Sequence, residues 1–298
     1  MVKKNNKMSS DKMSSDKMSS DKMSSDKITD DKMSSDKIID DKIIDIRTVQ
    51  SSAFRILIEA LKEILTDTNL TIDKNGIKLI AMDSSHTVLI HMKLDASKFE
   101  FFKCNEPIKI GVNMLNLFKL IKTMNNTDTL SFFIKENNKN KLGIVINNQD
   151  KKTQTIYELN LLDIPEEDIQ IPPIEFETEL TLPSSDFQKL IRDMINIGDN
   201  MEIKSVGNSL MLNCNGDFAN QITTLGETQE GLQFRNTTNE NYPIQGIFSL
   251  KYLILFTKCT NLCNQIQLYI KNDYPLIIQY TVASLGTIRL CLAPNTID

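Results

Sequence analysis

One pattern occurs twice in this chain. Amphipathic segments at about 51–65 and 113–124 return at about 185–197 and 249–259, offset by about 133 and 136 residues. Each carries an apolar stripe at helical spacing. The stripes are Phe54, Leu57, Ile58, Leu61 and Leu65, then Leu117, Phe118, Ile121 and Met124. In the second copy they are Phe187, Leu190, Ile191 and Met194, then Leu250, Leu253 and Ile254 with Thr257. The stretches between alternate like strands, at about 87–94, 129–135, 141–148, 153–161, 201–205, 209–214, 218–225, 242–248, 265–271, 275–282 and 286–292. Asn75-Gly76, between runs 70–72 and 77–80, predicts a two-residue hairpin turn. Two copies of helix, strands, helix, strands bury their helices only against sheet. The predicted fold is α+β: two similar domains of antiparallel sheet with two helices each.

Residues 163–175 interrupt the pattern. Three prolines and five acids (Asp163, Glu166, Glu167, Asp168 and Glu175) exclude a central strand or helix, so this is the connector between the halves. The domains are then 47–162 and 176–298. Ahead of them Met-Ser-Ser-Asp-Lys is repeated through residues 8–27 and again at 33–37, with degenerate copies at 28–32 and 38–42. A five-residue period matches neither helix nor strand. Ten Lys and ten Asp leave too little apolar surface to offset chain entropy, so residues 1–46 are expected to be disordered.

Little in the chain suits catalysis. Only His86 and His91 are present, and no phosphate loop, nucleophile motif or acidic metal cluster is evident. An Asp83–His86 dyad lacks a substrate pocket and partners. No enzyme activity, cofactor or metal is expected. Cys104, Cys214, Cys259, Cys263 and Cys291 are odd in number and lack framework spacing, which suits a reducing compartment. Cys259 and Cys263 lack a second Cys/His pair for zinc and read as packed thiols. No apolar run is long enough for a bilayer, so a soluble intracellular protein without membrane contact is expected.

The net charge of −5 argues against nucleic acid only if charge is evenly spread. It is not. The four helical segments carry Arg55, Lys62, Lys119, Lys122, Lys189, Arg192, Lys251 and Lys258 against four acids, a net +4. Residues 47–298 hold 24 Lys/Arg and 29 Asp/Glu, so the remainder is −9. Lysines on one exposed helix face ordinarily serve solubility. Two basic residues on every helix, over an acidic body, fit a phosphate-facing surface. These faces lack the aromatics that stack single strands, so duplex held without base reading fits better.

Met82-Asp83-Ser84-Ser85-His86, Gly111-Val112-Asn113 before the second helix, Arg192-Asp193 with Ile197-Gly198-Asp199, and Leu292-Ala293-Pro294 stand in this order. Together they resemble the eukaryotic-type DNA sliding clamp, the proliferating cell nuclear antigen family, over roughly residues 47–298. The resemblance implies a non-enzymatic processivity factor that encircles duplex DNA as a homotrimer and tethers replication and repair proteins. It places the eight basic residues above on the channel. It gathers Met82, His86, Leu89, Ile169, Ile171, Pro172, Tyr274, Pro275, Leu292, Ala293 and Pro294 into one apolar pocket, where DNA polymerase and other partners insert a peptide motif. It assigns the subunit edges to about 153–161 and 218–225, and implies loading by a separate clamp loader ATPase. Two departures stand out: Ile56 replaces a common lysine, and Gly207 replaces the family's modification-prone lysine. The same helices suit a monomeric charge-held factor, a checkpoint-type hetero-clamp subunit or a non-DNA peptide scaffold. Asn, Ile and Lys richness points to an AT-rich genome such as a large DNA virus, so the site of action is the nucleus or a cytoplasmic viral replication site.

Overall fold

The computed structural model describes residues 41–236 and 243–295. Each half runs strand, helix, five strands, helix, three strands. The first half comprises β1 (Lys42–Thr48), α1 (Ser51–Leu61), β2 (Asp67–Asp73), β3 (Gly76–Met82), β4 (Val88–Asp95), β5 (Phe101–Cys104), β6 (Ile108–Asn113), α2 (Met114–Ile121), β7 (Thr129–Lys135), β8 (Asn138–Asn148) and β9 (Thr153–Asn160). The second comprises β10 (Thr178–Pro183), α3 (Ser184–Met194), β11 (Asn200–Val206), β12 (Ser209–Asn215), β13 (Asn220–Gly226), β14 (Gln233–Asn236), β15 (Ile244–Ser249), α4 (Leu250–Phe256), β16 (Gln265–Ile270), β17 (Leu276–Val282) and β18 (Gly286–Leu292). A 3-10 segment, Thr257–Leu262, follows α4 directly.

The repeat extends to strand order. In the first half, β5-β1-β7-β8-β9 form one sheet and β6-β2-β3-β4 another run; the second half matches with β14-β10-β16-β17-β18 and β15-β11-β12-β13. β18 pairs antiparallel with β4, from Gly286 opposite Leu94 to Leu292 opposite Val88, fusing one run from each half into a nine-stranded sheet. Helices pack on one face. α1 lies between α2 and the 3-10 segment, and α3 packs on both α4 and that segment. Beneath them Val88, Ile90, Met92 and Leu94 of β4 and Ile288, Leu290 and Leu292 of β18 are buried in one core. Their strand neighbours Leu89, His91 and Arg289 point to the opposite, more exposed face, as the two-residue period requires.

Three expectations change. The expected disordered tail, residues 1–46, overlaps β1, so residues 42–46 are part of a strand; residues 1–40 lie outside the described residues. Ile43, Ile44 and Ile46 are buried, and β1 is a central strand between β5 and β7. The hairpin turn is Lys74-Asn75, one residue earlier than expected, with Gly76 opposite Asp73. Gly76 is needed for a different reason: its φ is 141°, and a Cβ there would meet the Leu94 carbonyl oxygen at 1.8 Å. Lys258, expected on the fourth helix, lies on the 3-10 segment.

Gly111 has a similar role at the head of α2. A Cβ there would lie 2.2 Å from the Leu162 carbonyl oxygen. The close approach lets Leu162 N–H donate to the Gly111 carbonyl at 2.8 Å, which fixes where the connector leaves the first half. Two residues on, Asn113 caps α2, its side chain accepting from Asn116 N–H at 2.9 Å.

Candidate functional site

The basic residues divide into two groups. Lys119, Lys122, Lys189, Arg192, Lys251 and Lys258 are exposed, and among the described residues none of these six forms an ion pair. Their fields therefore face outward, available to phosphate. Arg55 and Lys62 differ. Arg55 is half-buried, and its Nε is buried without a hydrogen-bond partner among the described residues. The Lys62 side chain is only 15% exposed, with Nζ on the Glu63 carboxylate and 4.9 Å from the Phe118 ring centroid. Lys62 ties α1 to α2 by covering apolar surface with its stem, a role that helical spacing alone does not reveal.

Between β3 and β4, the Met82–His86 loop is built around one carboxylate. Asp83 accepts from Thr87 N–H at 2.8 Å, Val88 N–H at 2.7 Å, Ser85 N–H at 3.3 Å and the Ser85 hydroxyl. Burial pushes the Asp83 pKa up, but the hydrogen bonds from Ser85, Val88 and Thr87 outweigh it and hold the carboxyl below its ordinary value. Ser85 Oγ lies 2.9 Å from Tyr252 Oη on α4, and Ala293 N–H donates to the Thr87 carbonyl at 3.0 Å. The loop thus gathers both halves and the C-terminal segment. His86 turns through a positive φ of 55° and is exposed.

The connector is a strap held at both ends. Asn69 Nδ2 donates to the Ile164 carbonyl at 3.1 Å, and Lys109 pairs with Glu166 at 2.6 Å. At the far end the Phe176 ring packs 5.3 Å from Tyr269 and 6.0 Å from Tyr274. Between these anchors Ile171 and Pro172 are exposed.

The expected pocket residues meet in part. Met82 stands opposite Leu89, and Leu89 opposite Cys291, in register. Met82 and Ile169 line a cleft of about 270 Å³ with Ile80 and Ile164. Tyr274 and Pro294 line a separate cleft of about 640 Å³ with Gly246, Ile247 and Asn295. Pro275 and Ala293 are half-buried near the second. Met82 and Ile169 thus share one cleft, and Tyr274 and Pro294 another. Leu292 is fully buried in the core beneath the helices and lines neither cleft. Spacing missed Tyr252 and Ile80. Ile80 left a signal, an apolar residue out of phase with its strand and 42% exposed.

Elsewhere, among the described residues, all five cysteines are free thiols. Cys259 is buried, and burial first, then neighbouring Cys263, pushes its thiol up. Among the described residues no group of His, Cys, Asp and Glu is arranged to hold a metal, and no helix is long and apolar enough to cross a membrane.

Comparison with known proteins matches both halves in order: the proliferating cell nuclear antigen N-terminal domain over residues 43–169 and its C-terminal domain over 170–295. The chain belongs to the proliferating cell nuclear antigen family. Among its relatives, the “Probable DNA polymerase sliding clamp 1” of Paramecium bursaria Chlorella virus 1 is 35% identical over 253 residues, 84% of this chain and 95% of the viral protein. The “Proliferating cell nuclear antigen” of Chaetomium thermophilum is 30% identical over 255 residues, 85% of this chain and 98% of the fungal one. The clamp domains join within the connector, at 169/170, so the strap belongs to both.

Proposed function

We propose that this chain is a DNA sliding clamp, a polymerase processivity factor that closes into a homotrimeric ring around duplex DNA. The observation that carries the reading is the β18–β4 seam. β9 is the first-half counterpart of β18, and β13 the second-half counterpart of β4; among the described residues both are free edges. Repeating the internal seam between copies joins β9 of one to β13 of the next, a heterologous contact that closes into a ring. The register follows. Ile156 opposes Val145 as Arg289 opposes Gln279, and Ile222 opposes Asn213 as His91 opposes Ile80. Arg289 pairs with His91, so Ile156 of one copy pairs with Ile222 of its neighbour. These two side chains are 57% and 65% exposed on strand edges, a cost that mutual burial removes.

In the ring the helix layer faces the channel. The six exposed basic residues hold phosphate without reading bases, which permits sliding, while topology prevents lateral loss. Partners dock on the opposite face, where an aromatic-bearing peptide lies along the connector and fills the two clefts beside the Met82–His86 loop. A tethered DNA polymerase is then kept at high effective concentration at the primer end. A separate clamp loader ATPase opens the ring, and the clamp acts where DNA is replicated, in the nucleus or at a cytoplasmic viral site.

The test is retention on DNA. With a loader, the protein should stay on nicked circular duplex through gel filtration and leave when the circle is linearised. Equal retention on both, by a protein of monomer mass, would instead indicate a charge-held monomer.

A further inference from the structure

We propose that the sheet face opposite the helices carries an anion-binding patch, built by Arg289, His91 and Lys93 across the β4–β18 seam. Its ligand is the carboxylates of an acidic segment on a protein partner. The patch lies within one chain and needs no ring.

The strand register brings these side chains together. Arg289 stands opposite His91 and Thr287 opposite Lys93, and Lys93 stands in turn opposite Lys78 on β3. All four ionisable groups lie on the face turned from the helix layer, because each alternates with buried core residues of its strand. Lys93 pairs with Asp95 at 3.3 Å and Lys78 with Asp73 at 2.8 Å. Arg289 and His91 form no ion pair among the described residues. Arg289 is nevertheless held: its Nε donates to Gln279 Oε1 at 2.7 Å, and the guanidinium lies 5.7 Å from the Tyr269 ring centroid. A guanidinium oriented in advance loses less freedom when it binds.

The internal repeat shows that strand pairing does not require these cations. At the matching places on β9, β13 and β12, Arg289 becomes Ile156, His91 becomes Ile222, Lys93 becomes Thr224 and Lys78 becomes Met211. The fold accepts a neutral side chain at all four. Setting Lys93 directly across from Lys78, with Arg289 and His91 alongside, costs sheet stability that a bound anion restores. The surroundings limit what that anion is. Lys78 and Ile80 also line the cleft beneath the connector, whose rim carries Glu166, Glu167 and Asp168. On the other side Glu179 stands opposite Tyr269. A continuous phosphate backbone crossing the patch meets carboxylates at both ends, whereas a short acidic cluster fits between them, with Arg289 as its bidentate anchor.

Fluorescence anisotropy of labelled hexaglutamate on the full chain at low salt tests this. The proteins are wild type, Arg289→Gln/Lys93→Gln, and the helix-layer variant Lys119→Gln/Lys189→Gln. Affinity should fall on the order of tenfold in Arg289→Gln/Lys93→Gln and stay near wild type in the helix-layer variant. No binding by wild type, unchanged affinity in Arg289→Gln/Lys93→Gln, or loss only in the helix-layer variant overturns the patch. Labelled oligothymidine that loses affinity in Arg289→Gln/Lys93→Gln, while hexaglutamate does not, would make this a nucleic-acid surface and overturn the acidic-segment assignment. None of these readouts depends on ring closure, so the sliding-clamp reading stands or falls separately.

Discussion

Asp83 is a single side chain on which the Met82–His86 loop depends, and its replacement has a calculable outcome. In Asp83→Ala, Thr87 N–H and Val88 N–H lose the acceptor they share at 2.8 and 2.7 Å. The site is 8% exposed, so water cannot replace both bonds fully. Each orphaned donor costs about 1–3 kcal/mol, and bonds to a charged acceptor lie toward the upper part. A loss of about 3 kcal/mol follows for Asp83→Ala. Asp83→Asn keeps the oxygen that accepts both backbone bonds and turns an NH2 toward Ser85 Oγ, which can accept, losing only the long bond from Ser85 N–H at 3.3 Å, so its cost should be about 1 kcal/mol. Urea unfolding at one fixed protein concentration separates the two variants, because assembly also contributes to stability.

The pH dependence sharpens the experiment. The folded-state pKa of Asp83 lies below its ordinary value of 3.8. Its stabilisation is complete above that ordinary value and is lost as pH falls through the folded pKa. The wild type should therefore lose part of its advantage over Asp83→Asn in strongly acidic buffer. An alanine variant within about 0.5 kcal/mol of wild type would refute the argument that this carboxylate holds the loop.

Further outcomes concern the two faces. Ile169→Asp with Ile171→Asp should abolish partner-peptide binding by calorimetry while leaving the circular dichroism spectrum unchanged, since both residues lie on the strap outside the core. Lys119→Ala or Lys189→Ala should reduce the slope of log binding constant against log salt for duplex, by up to about one for each phosphate no longer neutralised. Lys62→Ala should leave that slope nearly unchanged and lower thermal stability, because its ammonium is engaged with Glu63 and Phe118. Leu292→Ala should cost about 2–5 kcal/mol in unfolding, as a fully buried leucine does; Pro294→Ala, at the groove, should weaken peptide binding with little effect on stability.

Much of the architecture could be read in the sequence. Phe54, Leu57, Ile58 and Leu61 fall on one helical face because one face of α1 is buried, and burial pattern is what periodicity records. The duplication was legible for the same reason, helix by helix. β1 was not. Its Lys-Ile-Ile-Asp begins as one more degenerate copy of the repeat ahead of it, and only pairing with β5 and β7 gives it a place in a sheet. The hairpin was misplaced by one residue because the sequence marks a glycine without saying whether the turn or a neighbouring strand requires it. At the sites, residue types pointed to basic helices and an apolar groove. Spacing could not reveal that Lys62 lies against Phe118, that Leu292 is buried beneath the helices, or that Met82 and Tyr274 line different clefts. Those facts depend on which strand lies beside which. Local periodicity reports that a face is covered, whereas the identity of the cover is set by pairings between distant residues such as Leu89 and Cys291, and no local pattern encodes them.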